Sequence, residues 1–177
     1  RAICGLTNVS SGGILIDGRK MEDIYATIGL VSVNFEEVYS LLMTDCHDLI
    51  SLYMDLVDGD ASLAYDISKD LGLEADLLKK RRINELSAGQ RKIVCTAMAL
   101  ASKANHVLLD EPFEQLDPAK KGKLTKRLDS YGGLVILNTH ETWLLRSLQD
   151  WLAFFMFEGL LYGPVLVNDL LKAEISF

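Results

Sequence analysis

Short apolar runs fenced by turn-forming residues come first along the chain. GGILIDG (12–18) and IGLVS (28–32) read as β-strands, the first at a sheet edge and the second in a core. From 39 to about 85 the period becomes helical. Leu41, Leu42, Leu49, Ile50, Leu52 and Tyr53, then Leu63, Ala64, Ile67 and Leu71, recur at three- and four-residue spacing. Asp60 is placed to cap the second helix of this block and Gly72 to end it. After LSAGQ (86–90), the residues Ile93, Val94, Ala97, Met98, Leu100 and Ala101 give another helix a broad buried face. HVLLD (106–110) and LVILNTH (134–140) are near-continuous apolar runs, as expected of strands covered on both faces of a parallel sheet. Between them Asp117-Pro118 reads as an N-cap followed by proline at the first helical position, with Gly132-Gly133 as the stop. WLAFFMFEG (151–159) and LLYG (160–163) read as a closing pair of strands.

Strand, helix, strand, helix, strand implies an α/β fold with a parallel sheet. The helical block has the length of an inserted subdomain, so the expected organisation is a core of 1–34 and 86–177 with a helical subdomain at 35–85. A chain of 177 residues with 49% hydrophobic and 24% charged positions fits one such core and excludes disorder as a whole. The net charge of −7 opposes the dense phosphate neutralisation that nucleic-acid binding needs, so no nucleic-acid partner is expected. The basic run 79–82 reads as a solvated helix end. Three widely spaced cysteines form neither a disulfide framework nor a CxxC metal site, which favours a reducing compartment. The most apolar stretch, 151–167, is broken by Glu158, Gly159, Gly163 and Pro164, whereas a spanning helix needs about 20 mostly apolar residues. No signal peptide is visible, and the opening Arg1 suggests a start inside a longer gene product.

The chemistry concentrates in three places. An apolar strand delivering Asp110 and Glu111 at its C-terminal end puts two carboxylates where open α/β sheets bind ligands, although the same Asp-Glu-Pro could simply open a turn. LSAGQ before a helix brings Ser87, the Gly89 amide and the first-turn amides to a positive helix end suited to phosphate oxygens, although an ordinary serine cap would read the same. His140 ends an apolar strand, unlike His47 in the helical block and His106 at a strand start, which are read as structural.

The order of these parts is more specific than any one of them. Glycine-serine motif, helix, apolar strand with Asp-Glu, Leu-Asp, and apolar strand with His together resemble the ATPase domain of the ATP-binding cassette (ABC) family over essentially the whole chain. LSAGQ resembles the family signature, VLLDEP (107–112) the Walker B strand with its catalytic glutamate, EQLD (114–117) the D-loop, and His140 the switch histidine. The resemblance implies a P-loop NTPase (RecA-like) core with a parallel sheet, an inserted α-helical subdomain and a small β-rich part. It implies ATP and Mg²⁺ as cofactors, with Asp110 as a metal ligand, Glu111 polarising the attacking water and His140 contacting the γ-phosphate. Ser87, Ala88, Gly89 and Gln90 would close over ATP, and Asp117 would reach across a dimer seam. The implied partners are a second ATPase subunit, in a homo- or heterodimer, and a transmembrane transporter subunit. The implied location is the cytoplasmic face of the cell membrane, as a peripheral subunit.

Two departures stand out. No GxxxxGK[ST] loop occurs within the 177 residues. The family places it just before RAICGL, so truncation, an omitted segment and natural loss are the alternatives. Unpaired buried backbone groups cost about 1–3 kcal/mol each, so the expectation is that the full polypeptide supplies the loop. After IGLVS the family usually carries Gln, whereas this chain has Val33 and then Asn34, whose amide is the expected substitute metal ligand. Ala88 replaces the usual second glycine of the signature, a milder change. A degenerate cassette without turnover, serving as a partner of another ATPase subunit, is the alternative reading.

Overall fold

The computed structural model describes residues 1–24, 27–35 and 44–174. After a 3₁₀ turn at Ala2–Cys4, strands β1 (Leu15–Ile16) and β2 (Arg19–Lys20) form an antiparallel hairpin. Its two-residue turn, Asp17-Gly18, has φ of 51° and 75°, the left-handed pair that matches the twist of a tight hairpin. Helix α1 (Met21–Ile24) leads to β3 (Val31–Val33). The helical block then supplies α2 (Cys46–Val57), α3 (Ala61–Asp70) and α4 (Ala75–Lys80). Asp45 caps α2 by accepting from the Asp48 amide at 2.9 Å, and Asp60 caps α3 by accepting from the Leu63 amide at 3.0 Å. Gly72 at φ 92° ends the α3 turn as expected, its amide donating back to Lys69 O.

A 3₁₀ turn at Ile83–Glu85 precedes α5 (Ala88–Ala101), followed by β4 (His106–Asp110), α6 (Pro118–Asp129) and β5 (Leu134–Asn138). A 3₁₀ segment, Thr142–Arg146, leads to the antiparallel hairpin β6 (Leu152–Phe157) and β7 (Leu160–Leu166), and α7 (Val167–Glu174) follows. Strands β3, β4 and β5 form a parallel sheet in that order, with Leu108 beside Ile136 and Asp110 beside Asn138. The α/β class and the parallel sheet are as the alternation of elements predicts.

One continuous apolar cluster joins the helical block to the sheet. Leu49, Ile50, Ile67 and Leu78 pack in the same core as Val94 and Met98 of α5, Val107 and Leu109 of β4, and Leu124 and Leu128 of α6. The helices of the block thus complete a core instead of forming one of their own. Of the expected helical segment, residues 36–43 lie outside the described residues. No helix among the described residues is long and apolar enough to cross a membrane.

Three readings of the sequence shift. In 12–18 only Leu15–Ile16 is strand, because Gly12 and the Asp17-Gly18 pair are left-handed. In 28–32 the strand starts at Val31, because Gly29 at φ 73° turns the chain and the Leu30 amide donates to Thr27 O. The 134–140 run was expected to be buried on both faces, yet β5 alternates: Leu134 is 53% and Ile136 48% exposed, while Val135 and Leu137 pack on the core. Among the described residues β5 lies at the edge of this sheet, with Leu134 and Ile136 exposed on one face.

Candidate functional site

The site grows from the end of β4. Parallel pairing places Asn138 level with Asp110, and the Asn138 amide nitrogen donates to Asp110 Oδ1 at 2.7 Å. One residue later the chain leaves the strand. Glu111 adopts φ 45°, a left-handed conformation costing a non-glycine residue about 1–3 kcal/mol, and its amide donates to Asn138 O at 2.9 Å. This turn swings the Glu111 carboxylate to the end of β5. There His140 Nδ1 lies 2.9 Å from Glu111 Oε1 and the His140 amide donates to Oε2 at 3.4 Å. The carboxylate is largely shielded, 24% exposed, whereas the imidazole is 76% exposed and faces solvent on its other side. The hydrogen bond to Glu111, and then its charge, raise the His140 pKa above the ordinary histidine value.

The loop carrying His140 is tied down behind the ring. Glu141 accepts from Lys121 Nζ of α6 and from Trp143 Nε1, its amide donates to Thr139 Oγ1 at 3.2 Å, and Lys121 also lies 5.5 Å from the Trp143 ring centroid. The hydrogen bond from the lysine above all holds the Glu141 carboxyl below its usual pKa against desolvation, with the indole N–H adding to the lowering.

At the start of α5, Ser87 and Gln90 form a reciprocal cap. Ser87 Oγ accepts from the Gln90 amide at 3.3 Å, and the Ser87 amide donates to Gln90 Oε1 at 3.0 Å. Ser87 and Ala88 are exposed, and Gly89 and Gln90 are partly so. Gly89 packs against the loop after Glu111: a Cβ there would sit 2.5 Å from Gln115 Oε1. Asp117 is exposed, yet its carboxylate caps α6 through the Lys120 amide at 3.0 Å and pairs with Lys120 Nζ at 3.0 Å, which lowers its pKa.

Asp110, Glu111 and His140 are therefore brought together, and 87–90 form the first turn of a helix that runs back toward them: Lys92 Nζ donates to Asp110 O at 3.2 Å. Asn34, the expected substitute metal ligand, has its side-chain amide engaged within the protein. Its side chain is fully buried, with Oδ1 accepting from the Asp110 amide at 2.8 Å and Nδ2 donating to Asp110 O at 3.3 Å and Thr96 Oγ1 at 3.2 Å. The amide is thus paired with the Asp110 backbone and the Thr96 hydroxyl. Sequence reasoning missed Lys92, Gln115, Asn138 and Glu141. Asn138 alone carried a signal, a polar residue closing an apolar strand in register with Asp110.

Mg²⁺ commonly takes one or two carboxylates and completes its octahedron with phosphate oxygens and water. No group of three or more His, Cys, Asp or Glu able to hold a metal occurs among the described residues.

Comparison with known proteins agrees with this geometry. A solved structure of a provisionally named cobalt transport ATP-binding protein (cbiO-2) superposes with a TM-score of 0.87 at 35% identity, covering 97% of this chain and 64% of that one. The maltose/maltodextrin import ATP-binding protein MalK of Vibrio parahaemolyticus is 29% identical over 150 residues, 80% of this chain and 40% of its own. The energy-dependent translational throttle protein EttA of Mycobacterium tuberculosis is 31% identical over 124 residues, 67% of this chain and 22% of its own. The chain thus spans well under half the length of these curated relatives. The ABC transporter family model matches residues 1–114, running from the first turn through the acidic end of β4, and the chain belongs to that family as part of its ATPase domain.

Proposed function

We propose that the chain is part of an ATP-binding and ATP-hydrolysing subunit of an ABC membrane transporter, working head to tail with a second ATPase subunit on the cytoplasmic face of the membrane. The observation that carries this reading is the Glu111–His140 contact at 2.9 Å, one residue past Asp110 at the end of a parallel strand. In the proposed mechanism Glu111 orients and polarises the water that attacks the γ-phosphate, and its partly shielded position strengthens that interaction. His140, held by Glu111 on one side and open on the other, presents its free ring edge to the phosphate. Asp110, fixed by Asn138, is the residue that would hold Mg²⁺, which when bound with ATP neutralises charge on the phosphates. Ser87, Ala88, Gly89 and Gln90 are the residues that would close over the nucleotide of the facing subunit, with the Ser87 and Gln90 amides already paired within the α5 cap. Asp117, exposed where it caps α6, is the residue that would reach across that seam. The helical block is the proposed contact with the transmembrane subunit. Import by MalK speaks for transport as the coupled process.

A second reading, a degenerate cassette completing another subunit's ATP site, is favoured by Val33 at the position where the family usually carries Gln. Steady-state ATP hydrolysis by the full-length protein separates the two. Glu111→Gln is expected to lower kcat by about 10²-fold or more while nucleotide still binds. Turnover that does not depend on Glu111, or none in the wild type, overturns the hydrolytic reading.

A further inference from the structure

We infer that Asn34 is a positioning residue for the acidic strand end, its side-chain amide serving as an extra rung of the parallel sheet and linking that rung to helix α5. Backbone pairing between β3 and β4 ends at the Asn34 amide, which donates to Leu108 O at 3.4 Å just past the Val33–Leu108 pair. The same residue continues it with its side chain: a primary amide has one carbonyl and one N–H₂, the same donor and acceptor a peptide group presents. Asn34 uses both on a single residue, accepting from the Asp110 amide at 2.8 Å and donating to the Asp110 carbonyl at 3.3 Å. Asp110 is thereby kept extended at the point where Glu111 turns left-handed, so the direction in which the Glu111 carboxylate leaves the sheet is set from the β3 side.

The rung is also anchored. The second Asn34 N–H donates to Thr96 Oγ1, itself buried on α5, and Lys92, one turn earlier on the same face of that helix, donates to the same Asp110 carbonyl. Ser87 and Gly89 begin this helix. A displacement of its first turn is thus passed to the Asp110 backbone through two contacts. The burial of Asn34 separates this role from metal ligation, and the polar group is retained in the core because all three of its bonds are made.

The kinetic arm of the test rests on the hydrolytic reading; the exchange arm does not. In the full-length protein, Asn34→Ala and the volume-conserving Thr96→Val are compared with wild type by amide hydrogen exchange and by ATP turnover. The Asp110 amide is expected to exchange about tenfold faster or more in Asn34→Ala relative to the Val107 and Leu109 amides of the same strand, and to shift less but in the same direction in Thr96→Val. With turnover present, kcat is expected to fall about tenfold or more with KM for ATP within about twofold, the split that a merely destabilising change would not give. Asp110 exchange that follows Val107 and Leu109 in both variants overturns the proposal, as does faster exchange with unchanged kcat. If Asn34→Ala does not fold, Thr96→Val decides by the same two readouts. If wild type shows no turnover, the hydrolytic reading fails and the exchange of Asp110 alone decides whether the rung exists.

Discussion

Replacing Phe113 by alanine removes the wedge between the Glu111 turn and the loop that carries His140. Phe113 is fully buried two residues after Glu111, and its ring meets Trp143 edge to face, with centroids 5.4 Å apart and planes at 85°. Trp143 in turn donates to Glu141, the neighbour of His140. Phe-to-Ala changes at fully buried sites cost about 3–5 kcal/mol. In a chain of 177 residues each kcal/mol moves the thermal midpoint by about 2–4 °C, so the loss is about 6–20 °C. The aromatic pair itself accounts for about 0.5–1.5 kcal/mol of this. A double-mutant cycle of Phe113→Leu and Trp143→Leu isolates that part, because leucine keeps most of the apolar area. Urea denaturation of wild type, both single variants and the double variant gives the coupling. A midpoint shift below about 3 °C for Phe113→Ala, or a coupling energy of zero, refutes the view that this contact fixes the two loops together.

The Glu111–His140 pair has a pH signature. Since the His140 pKa is raised above its ordinary value of 6.5, the pair's stabilisation is fully present below that pH and is lost as pH rises through the folded-state value; Glu111→Gln should return the His140 proton titration to the ordinary range by NMR. Ser87→Ala removes the acceptor of the α5 cap and should cost about 1 kcal/mol in denaturation, with Gln90→Ala smaller because the serine oxygen remains. Gly133→Ala should destabilise by about 1–3 kcal/mol, because the new methyl would sit 2.6 Å from the Asn105 carbonyl oxygen and 3.0 Å from that of Ala104, backbone atoms that cannot swing aside.

What the sequence made legible was local. The caps Asp60, Ser87 and Asp117 were readable because a side-chain acceptor and the amide three residues on lie in one short stretch. Asp110, Glu111 and His140 were readable because strand ends in an α/β sheet converge on one edge, so order along the chain translates into proximity. The contacts that orient them were not. Asn34 meets Asp110 across 76 residues and Asn138 meets it across 28, and both depend on strand register, which no local pattern encodes. The exposure of β5 was misread for a related reason. A continuous apolar run reports that a strand can be covered on both faces, and only its neighbours decide whether it is.

The separation of the two acidic and serine-containing motifs by an apolar helix then has a mechanical sense. Helix α5 begins with the Ser87 cap, lays Gly89 against Gln115, reaches Asp110 through Lys92 and reaches Asn34 through Thr96. These contacts fall along two to three turns of one rigid rod whose other face is sealed in the core by Val94, Ala97 and Met98. A rod so packed moves as a unit or not at all. The exposed first turn is thereby joined through static contacts to the strand end that carries Asp110 and Glu111, and through Gly89 to the loop from Pro112 to Asp117 at Gln115, which holds a left-handed φ of 63°. Thr96→Val is expected to loosen the Asn34 link to the acidic strand end while leaving the Ser87 cap in place, read as faster amide exchange at Asp110 with unchanged exchange at Gln90.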